Sequence, residues 1–140
     1  MSLIVLDASA VAAWALPSQH TASAETLLRD SDRHRFLVPQ IFPIEVRSLF
    51  LAAERREKWR IAETESVLGE LAELDISVVR LDDSTHLADL MNLARASSLT
   101  IYDAHYLHLA EREKAVLASR DRPLLAAAER RRVEQIDLNA

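Results

Sequence analysis

The chain has 140 residues, 49% of them hydrophobic and 28% charged, which fits one globular domain, residues 1–140, with room for a buried core. It contains no cysteine, so disulfide bonds, cysteine–zinc sites and thiol catalysis are excluded. The formal charge of −5 argues against a strongly basic nucleic-acid clamp. No apolar run is long enough to span a bilayer and the first residues lack a signal-peptide pattern, so we expect a soluble, cytoplasmic protein with no membrane partner.

Apolar runs and turn residues predict alternating strands and helices. Residues 3–7 ("LIVLD") form an apolar run that ends in a polar residue, which is typical of a buried parallel strand. Further strands are predicted at 35–39, 76–81, 115–119 and, as an edge strand, 133–138. Helices are predicted at 9–16, 21–30, 39–58, 61–74, 82–98, 100–113 and 122–132, with Pro39 opening the long third helix. This alternation predicts a three-layer α/β/α fold around a mainly parallel sheet of about five strands.

Four acidic residues lie where the predicted elements begin or end. Asp7 ends the first strand, and Asp121 follows the strand before the last one. Asp103 lies in the first turn of a helix, and Glu45 lies in the early part of the long helix. Because ligands of such sheets bind beyond the carboxyl ends of the strands, where the following helices begin, these four carboxylates can converge on one rim.

Each aspartate also has a simpler interpretation as a helix cap. Asp7 or Ser9 can cap the first helix, and Asp121 can cap the last one. Thr100 and Asp103 form a T-x-x-D pattern, which is a variant of the capping box.

Glu45 has no such capping role, because the predicted long helix begins well before it. It falls on the helix face that carries Ile41 and Leu49, where an unpaired charge is costly. A buried ion pair with an arginine is the simpler explanation. Several carboxylates in one pocket repel each other, so some must be protonated or a cation must be present. Oxygen ligands without cysteine favour Mg²⁺ or Mn²⁺, which serve phosphoryl chemistry by activating water and neutralising charge on the phosphate.

Four segments carry a resemblance to a known family. The segments "IVLDASA" (4–10), "VPQIFPIEV" (38–46), "LTIYDAHYLHLA" (99–110) and "LASRDRPLLAAA" (117–128) together resemble the PIN domain, and within it the VapC-like ribonuclease toxins of type II toxin–antitoxin systems. The similarity covers essentially the whole chain in the right order. By position, it implies a catalytic and metal-binding quartet at Asp7, Glu45, Asp103 and Asp121. It also implies supporting roles for Ser9, Thr100 and Ser119.

The resemblance implies a function and partners as well. We expect an endoribonuclease toxin that depends on Mg²⁺ or Mn²⁺, cleaves RNA, forms a homodimer and is silenced by a cognate antitoxin protein. A groove for an antitoxin helix is expected beside Val11, Trp14 and Leu16. Two departures stand out: Ser48 replaces an asparagine of many relatives, and "RRRV" (130–133) lacks the glycine that often follows the last helix.

Two other functions stay open. One is a PIN-fold RNA-binding or scaffold module without catalysis, against which the intact quartet counts. The other is a phosphate-ester hydrolase of the haloacid dehalogenase type, with Asp7 as nucleophile. That class needs a second aspartate two residues further on, where this chain has Ser9.

Other polar and aromatic side chains are assigned no chemistry. His105 and His108 lie three residues apart on one helix, and we interpret them as surface or core histidines rather than metal ligands. Tyr102 and Tyr106, beside Asp103, are interpreted as core or dimer contacts rather than substrate-binding groups.

Overall fold

A computed structural model describes residues 2–140. Within that range five strands are present: β1 (Ser2–Leu6), β2 (His34–Pro39), β3 (Ile76–Val79), β4 (Val116–Ser119) and β5 (Gln135–Asp137). The same range holds seven α-helices: α1 (Ala8–Ala15), α2 (Ala22–Arg29), α3 (Phe42–Arg56), α4 (Ile61–Ala72), α5 (Ser84–Ser97), α6 (Ile101–Glu113) and α7 (Arg122–Arg130).

The strands form one parallel sheet in the order β3-β2-β1-β4-β5. The central strand β1 is flanked on both sides, with Val5 opposite Leu37 of β2 and Leu117 of β4. Val5 is fully buried, as expected for a strand that is covered on both faces. The predicted fold class and the position of the last strand at the sheet edge are therefore confirmed.

The connections place helices on both faces of this sheet. Successive crossovers step from β1 to β2 to β3 in one direction, whereas those from β3 to β4 and from β4 to β5 step in the other. Because such crossovers are right-handed, α1 to α4 lie on one face and α5 to α7 on the other. The contacts agree with this division, since α1 packs against α2 and α3, and α6 packs against α5 and α7.

The long third helix begins later than predicted. Pro39 is the last residue of β2, and α3 starts at Phe42 with Pro43 in its first turn. At the end of the strand, the missing N–H of Pro39 removes at most one ladder bond, whereas Pro43 suits a helix start, where the N–H has no partner anyway. This shift puts Glu45 in the first helical turn rather than one turn further along.

The turn after α7 explains how the chain manages without the expected glycine. Arg132 adopts a left-handed backbone conformation, with φ of 60°. This conformation is usually assigned to glycine because a side chain makes it less favourable. The chain therefore keeps the turn geometry at the cost of some backbone strain, and Val133 leads directly toward β5.

The core also corrects the predicted antitoxin groove. Val11 and Leu16 are buried in the hydrophobic core, so neither is available at a surface. Trp14 is half-buried and lines a small apolar pocket with Leu28 and Leu71, between α1, α2 and α4. None of the helices within residues 2–140 has the length and hydrophobicity needed to cross a membrane.

The buried β4 strand supplies a stability test. Leu117 is fully buried, so Leu117→Ala should lower the free energy of unfolding by about 2–5 kcal/mol in denaturant titrations. Ile61→Ala is the matched control, because Ile61 is 68% exposed and its truncation should change that free energy by less than about 0.5 kcal/mol. Equal effects of the two substitutions would contradict the burial of β4.

Candidate active site

The acidic residues gather where the strand order reverses. β1 and β4 are neighbours, but the chain leaves them toward opposite faces of the sheet, α1 following β1 and α7 following β4. A crevice opens at such a switch point because the two following helices diverge. Asp7 and Asp121 stand at the two sides of this crevice, directly after β1 and one residue after β4.

Asp7 is a buried carboxylate held by hydroxyl groups. Ser9 Oγ donates to its Oδ1 at 2.6 Å, and Ser119 Oγ donates to its Oδ2 at 2.5 Å. The backbone N–H of Ala10 also donates to Oδ1, so Asp7 caps α1 as well. Both supporting serines predicted from the sequence therefore touch Asp7, and Asp7 rather than Ser9 is the cap.

The environment of Asp7 opposes its ionisation. Burial raises the pKa of Asp7 from 3.8 to about 6, with a smaller contribution from the negative charge of Asp121. The hydrogen bonds from Ser119, Ser9 and Ala10 act in the opposite direction, because they stabilise the charged form. Without the two serine hydroxyls, burial would raise the pKa of Asp7 further.

Asp121, at the start of α7, and Asp103, in the first turn of α6, line the same cleft. Asp121 Oδ1 accepts from the Leu124 N–H at 2.9 Å and caps α7, while its own N–H donates to Ser119 Oγ at 2.9 Å. Asp103 is half-buried in the first turn of α6. Burial raises the pKa of Asp103, and the charges of Asp121 and Glu45 raise it further. The three carboxylates therefore interact electrostatically.

Glu45 reaches the cleft from α3. The buried side of that helix is formed by Phe42, Val46 and Phe50, so Glu45 lies on its flank and is only half-buried. Tyr106 Oη donates a hydrogen bond of 2.5 Å to Glu45 Oε1. Glu45 does share the helix face of Ile41 and Leu49, but that face is a half-buried flank rather than the core side, and the hydrogen-bond partner of Glu45 is a tyrosine rather than an arginine.

Tyr106 is the main residue of the site that the sequence did not reveal. Its side chain is buried in α6, three residues after Asp103 and thus on the same side of the helix. Burial and the hydrogen bond to Glu45 both raise the pKa of Tyr106, so the hydroxyl stays neutral and donates. The i, i+3 spacing from an acid was the available signal, but a buried tyrosine is more often only packed.

The cleft itself has a volume of about 260 Å³. Five of the seven predicted site residues line it, together with further side chains from α1, the following loop, α3 and α6. These lining residues are Asp7, Ala8, Ser9, Gln19, Glu45, Ser48, Leu49, Asp103, Tyr106 and Asp121. Ser48, one of the two departures from the family pattern, therefore lines the cleft.

The remaining two predicted residues support the cleft from outside. Ser119 is buried behind Asp7. Thr100 is exposed, and its hydroxyl accepts from the Asp103 N–H at 3.1 Å as the cap of α6. Thr100 therefore fixes the start of α6 through one of the two hydrogen bonds of the capping-box interpretation.

Larger clefts elsewhere do not gather acids in this way. One of about 490 Å³ lies between α5, α6 and α7, but its Glu111 is engaged by Arg131 at 2.8 and 3.1 Å. His108 lines that cleft and His105 lies one turn earlier, and burial lowers the pKa of both imidazoles. The two histidines stand apart from the acidic cleft.

The donor chemistry of the acidic cleft fits a hard divalent cation. Four carboxyl groups and the hydroxyls around them supply oxygen ligands, and the mutual repulsion of the acids is relieved by positive charge. Within the described part of the chain, no three Asp, Glu or His side chains already stand close enough to hold a metal ion. Binding would therefore require these side chains to move toward the cation.

Known proteins share both the sequence pattern and the fold. Residues 4–130 match the family model described as the PIN domain. The chain is 31% identical over 121 residues to Ribonuclease VapC3 of Pyrobaculum aerophilum, an alignment that covers 86% of this chain and 91% of the relative. Among solved structures, PAE2754 from Pyrobaculum aerophilum matches with a TM-score of 0.68 and 24% identity, over 98% of this chain and 90% of that one. VapBC2 from Rickettsia felis, bound to a DNA fragment from their promoter, matches with a TM-score of 0.62 and 13% identity, over 96% and 98%.

A parallel α/β/α sheet with an acidic cleft at its switch point defines the class of protein. The chain belongs to the PIN domain family. The resemblance to VapC-like ribonuclease toxins, predicted from four sequence segments, is confirmed by the curated relative that the chain matches over most of its length.

The pKa of Asp7 leads to a prediction about stability. Because its pKa is higher in the folded state than in the unfolded chain, the folded state binds the extra proton between about pH 4 and 6. In metal-free buffer, the stability contributed by this group is present at low pH and is lost as pH rises through 6. A shift from 3.8 to about 6 corresponds to about 3 kcal/mol.

Asp7→Asn should remove this dependence. As pH rises from 4 to 7.5, the wild type should lose up to about 3 kcal/mol of unfolding free energy relative to the variant. Denaturant titrations in EDTA at several pH values measure it. Parallel pH profiles for the two proteins would contradict the buried, charge-opposing environment of Asp7.

Proposed function

We propose that the protein is a metal-dependent endoribonuclease that acts as the toxin of a toxin–antitoxin pair. The observation that carries this proposal is the convergence of Asp7, Asp103, Asp121 and Glu45 on one cleft at the switch point of the sheet. Its membership of the PIN domain family and its similarity to a VapC ribonuclease support the same conclusion.

The proposed metal ligands differ in how firmly they are held. Asp7 is fixed by two serine hydroxyls, and one oxygen of Asp121 is fixed by the start of α7. Asp103 is restrained only through the cap of α6, so its carboxylate has more freedom to move toward a cation. We propose that Asp7, Asp103 and Asp121 bind Mg²⁺ or Mn²⁺, with Glu45 as a ligand or as an acceptor for bound water.

These contacts suggest a separate role for each residue around the proposed metal. A bound divalent cation would supply Lewis acidity, activating water and offsetting charge on the attacked phosphodiester. Hydrogen bonds from Ser9 and Ser119 favour the ionised form of Asp7 against the effect of burial, and the ionised form is the one that attracts a cation. The neutral hydroxyl of Tyr106 orients Glu45 toward the cleft, where the carboxylate can accept a proton from the attacking water.

The two alternative functions fit less well. A phosphate-ester hydrolase would need Asp7 as nucleophile, yet both of its carboxyl oxygens accept hydrogen bonds and its attack would require the bonds from Ser9 and Ser119 to be released. A binding or scaffold module has no use for four mutually repelling acids, whose repulsion opposes folding without a cation.

Cleavage assays test the nuclease proposal. Purified protein should cleave single-stranded RNA with Mg²⁺ or Mn²⁺, and EDTA should abolish cleavage. Asp7→Asn and Asp121→Asn should each lower the cleavage rate by about 100-fold or more, the scale on which single charged groups of active sites act.

The matched control is Asp32→Asn. Asp32 is exposed in the short 3₁₀ turn before β2, at the amino ends of the strands and thus at the edge opposite the cleft. This variant should cleave RNA at the wild-type rate. Activity that survives both EDTA and Asp7→Asn would overturn the proposal.

The biological part of the proposal concerns partners. Structures of VapBC2 and of FitAcB from Neisseria gonorrhoeae share the fold of this chain, and the first is described as bound to promoter DNA. We infer a cognate antitoxin protein as the partner that silences this chain, with RNA as its substrate. The exposed apolar side chains of Leu87 and Met91 lie four residues apart on one face of α5 and support a homodimer, because neighbouring exposed apolar side chains are commonly covered in assemblies.

Growth assays test the toxin role. Induced expression of the chain in a bacterial host should arrest growth, because RNA cleavage stops protein synthesis, whereas Asp121→Asn should permit growth at equal expression. Co-expression of the inferred cognate antitoxin should restore growth to cells with the wild-type chain. Growth arrest by the Asp121→Asn variant would show that toxicity does not arise from the acidic cleft.

A further inference from the structure

Arg120 lies between two residues of the site without being used by the quartet. Its backbone N–H donates to Ser9 Oγ at 2.9 Å, the same oxygen that donates to Asp7. Its guanidinium Nη1 donates to Gln19 Oε1 at 3.1 Å. Gln19 lines the acidic cleft from the loop between α1 and α2, so the Arg120 side chain runs alongside the cleft wall.

The guanidinium of Arg120 is in an unusual state for a residue beside four acids. In the described part of the chain no carboxylate forms an ion pair with it, although Arg80 and Arg131 both pair with acids on exposed surfaces. Its Nε is buried and, among the described residues, has no hydrogen-bond acceptor. Within residues 2–140, the one side chain that accepts a hydrogen bond from it is the neutral amide of Gln19. A guanidinium has five donors, so most of this group's hydrogen-bonding capacity is unused.

We propose that Arg120 binds a phosphate of the RNA substrate at the edge of the acidic cleft, and that Gln19 positions its guanidinium for that contact. The inference rests on the proposed function, because it assigns a contact to the same substrate. An arginine paired with Asp7 or Asp121 would be neutralised and would compete with a metal. An arginine held by an amide keeps its full charge for an anion.

The charge of the cleft explains why an RNA substrate needs the positive charge of Arg120. Four carboxylates repel the phosphates of an approaching RNA, and the formal charge of the chain is −5. A guanidinium matches the geometry of a phosphate through two parallel hydrogen bonds, which both attract and orient it. The Arg120 guanidinium, held on Gln19 in the cleft wall, thus places a positive charge at the edge of the acidic cleft.

Steady-state kinetics on single-stranded RNA test this assignment. With a fluorescently labelled pool of random 20-nucleotide RNAs and saturating Mg²⁺, Arg120→Gln should raise KM about tenfold while kcat falls less than threefold. Fewer phosphate contacts also mean weaker salt dependence, so the slope of log affinity against log salt should shrink by about 0.7. Arg120→Lys keeps the charge but loses the paired donors of the guanidinium. It should therefore have the wild-type salt slope and a KM between those of the wild type and Arg120→Gln.

Two further variants separate binding from folding. Arg33→Gln is the matched control, since Arg33 is exposed before β2 at the opposite edge of the sheet and should leave KM and salt slope unchanged. Gln19→Ala should raise KM in the same direction as Arg120→Gln but by a smaller factor. A wild-type KM for Arg120→Gln, or a loss of kcat at constant KM, would overturn the inference.

RNA binding measured by fluorescence anisotropy distinguishes this inference from the nuclease proposal. If the wild type binds the RNA pool but never cleaves it, and Arg120→Gln weakens binding about tenfold, the nuclease proposal fails and Arg120 remains a phosphate-binding residue. If the wild type cleaves and Arg120→Gln matches it in affinity and KM, only the role of Arg120 fails. If Arg120→Gln loses its cooperative thermal transition, Arg120→Lys decides. If Arg120→Lys recovers neither the salt slope nor any of the loss in KM, the residue is structural and the inference is overturned.

Discussion

The buried carboxylate of Asp7 is the constraint around which the rest of the site is built. An aspartate at the end of the central strand is stable there only because hydroxyl and amide groups surround it. The same groups tie separate elements together, since Ser119 also accepts from the Asp121 N–H and Ser9 accepts from the Arg120 N–H. One carboxylate therefore fixes β1, α1 and the β4–α7 turn relative to one another.

Capping and a role in the site are one arrangement rather than two alternatives. Asp7 and Asp121 each accept a backbone N–H at the start of a helix, and those N–H groups and the helix dipole favour negative charge there. Parallel strands bring these helix starts to one edge of the sheet. A capping acid in this topology is already directed toward the cleft, so the cap stabilises the charge that the proposed chemistry requires.

The sequence was informative about elements and about the identity of the acids, and weaker on how each side chain is held. Periodicity and apolar runs predicted every strand and helix to within a few residues, because burial dictates both. Pro39 was misplaced since proline is acceptable at a strand end as well as at a helix start. The contact of Tyr106 with Glu45 joins residues 61 positions apart, and no local pattern reports such a pairing.

The side of α3 on which Glu45 lies shows a further limit of sequence patterns. A face that repeats at three and four residues is broad, and its flank and centre contain similar residue types. Ile41 and Leu49 are only partly buried and belong to the flank, whereas Phe42, Val46 and Phe50 form the centre. On the flank, the Glu45 carboxylate leaves the core and still receives the buried hydroxyl of Tyr106 across the cleft, so the position of Glu45 follows from the place of α3 at the cleft edge.

The repulsion among these acids has opposite consequences for stability and for binding. Burial and neighbouring charges raise the pKa values of Asp7 and Asp103, so the folded chain without a cation carries strain that its unfolded form lacks. A divalent cation in the cleft would replace that repulsion by attraction, so binding of the cation would stabilise the folded state. Arg120 cannot serve this purpose, because it is turned to Gln19 instead of the acids. Under the proposed function, the acids retain their capacity for a metal because Arg120 does not neutralise them, and the guanidinium of Arg120 keeps its charge for the substrate.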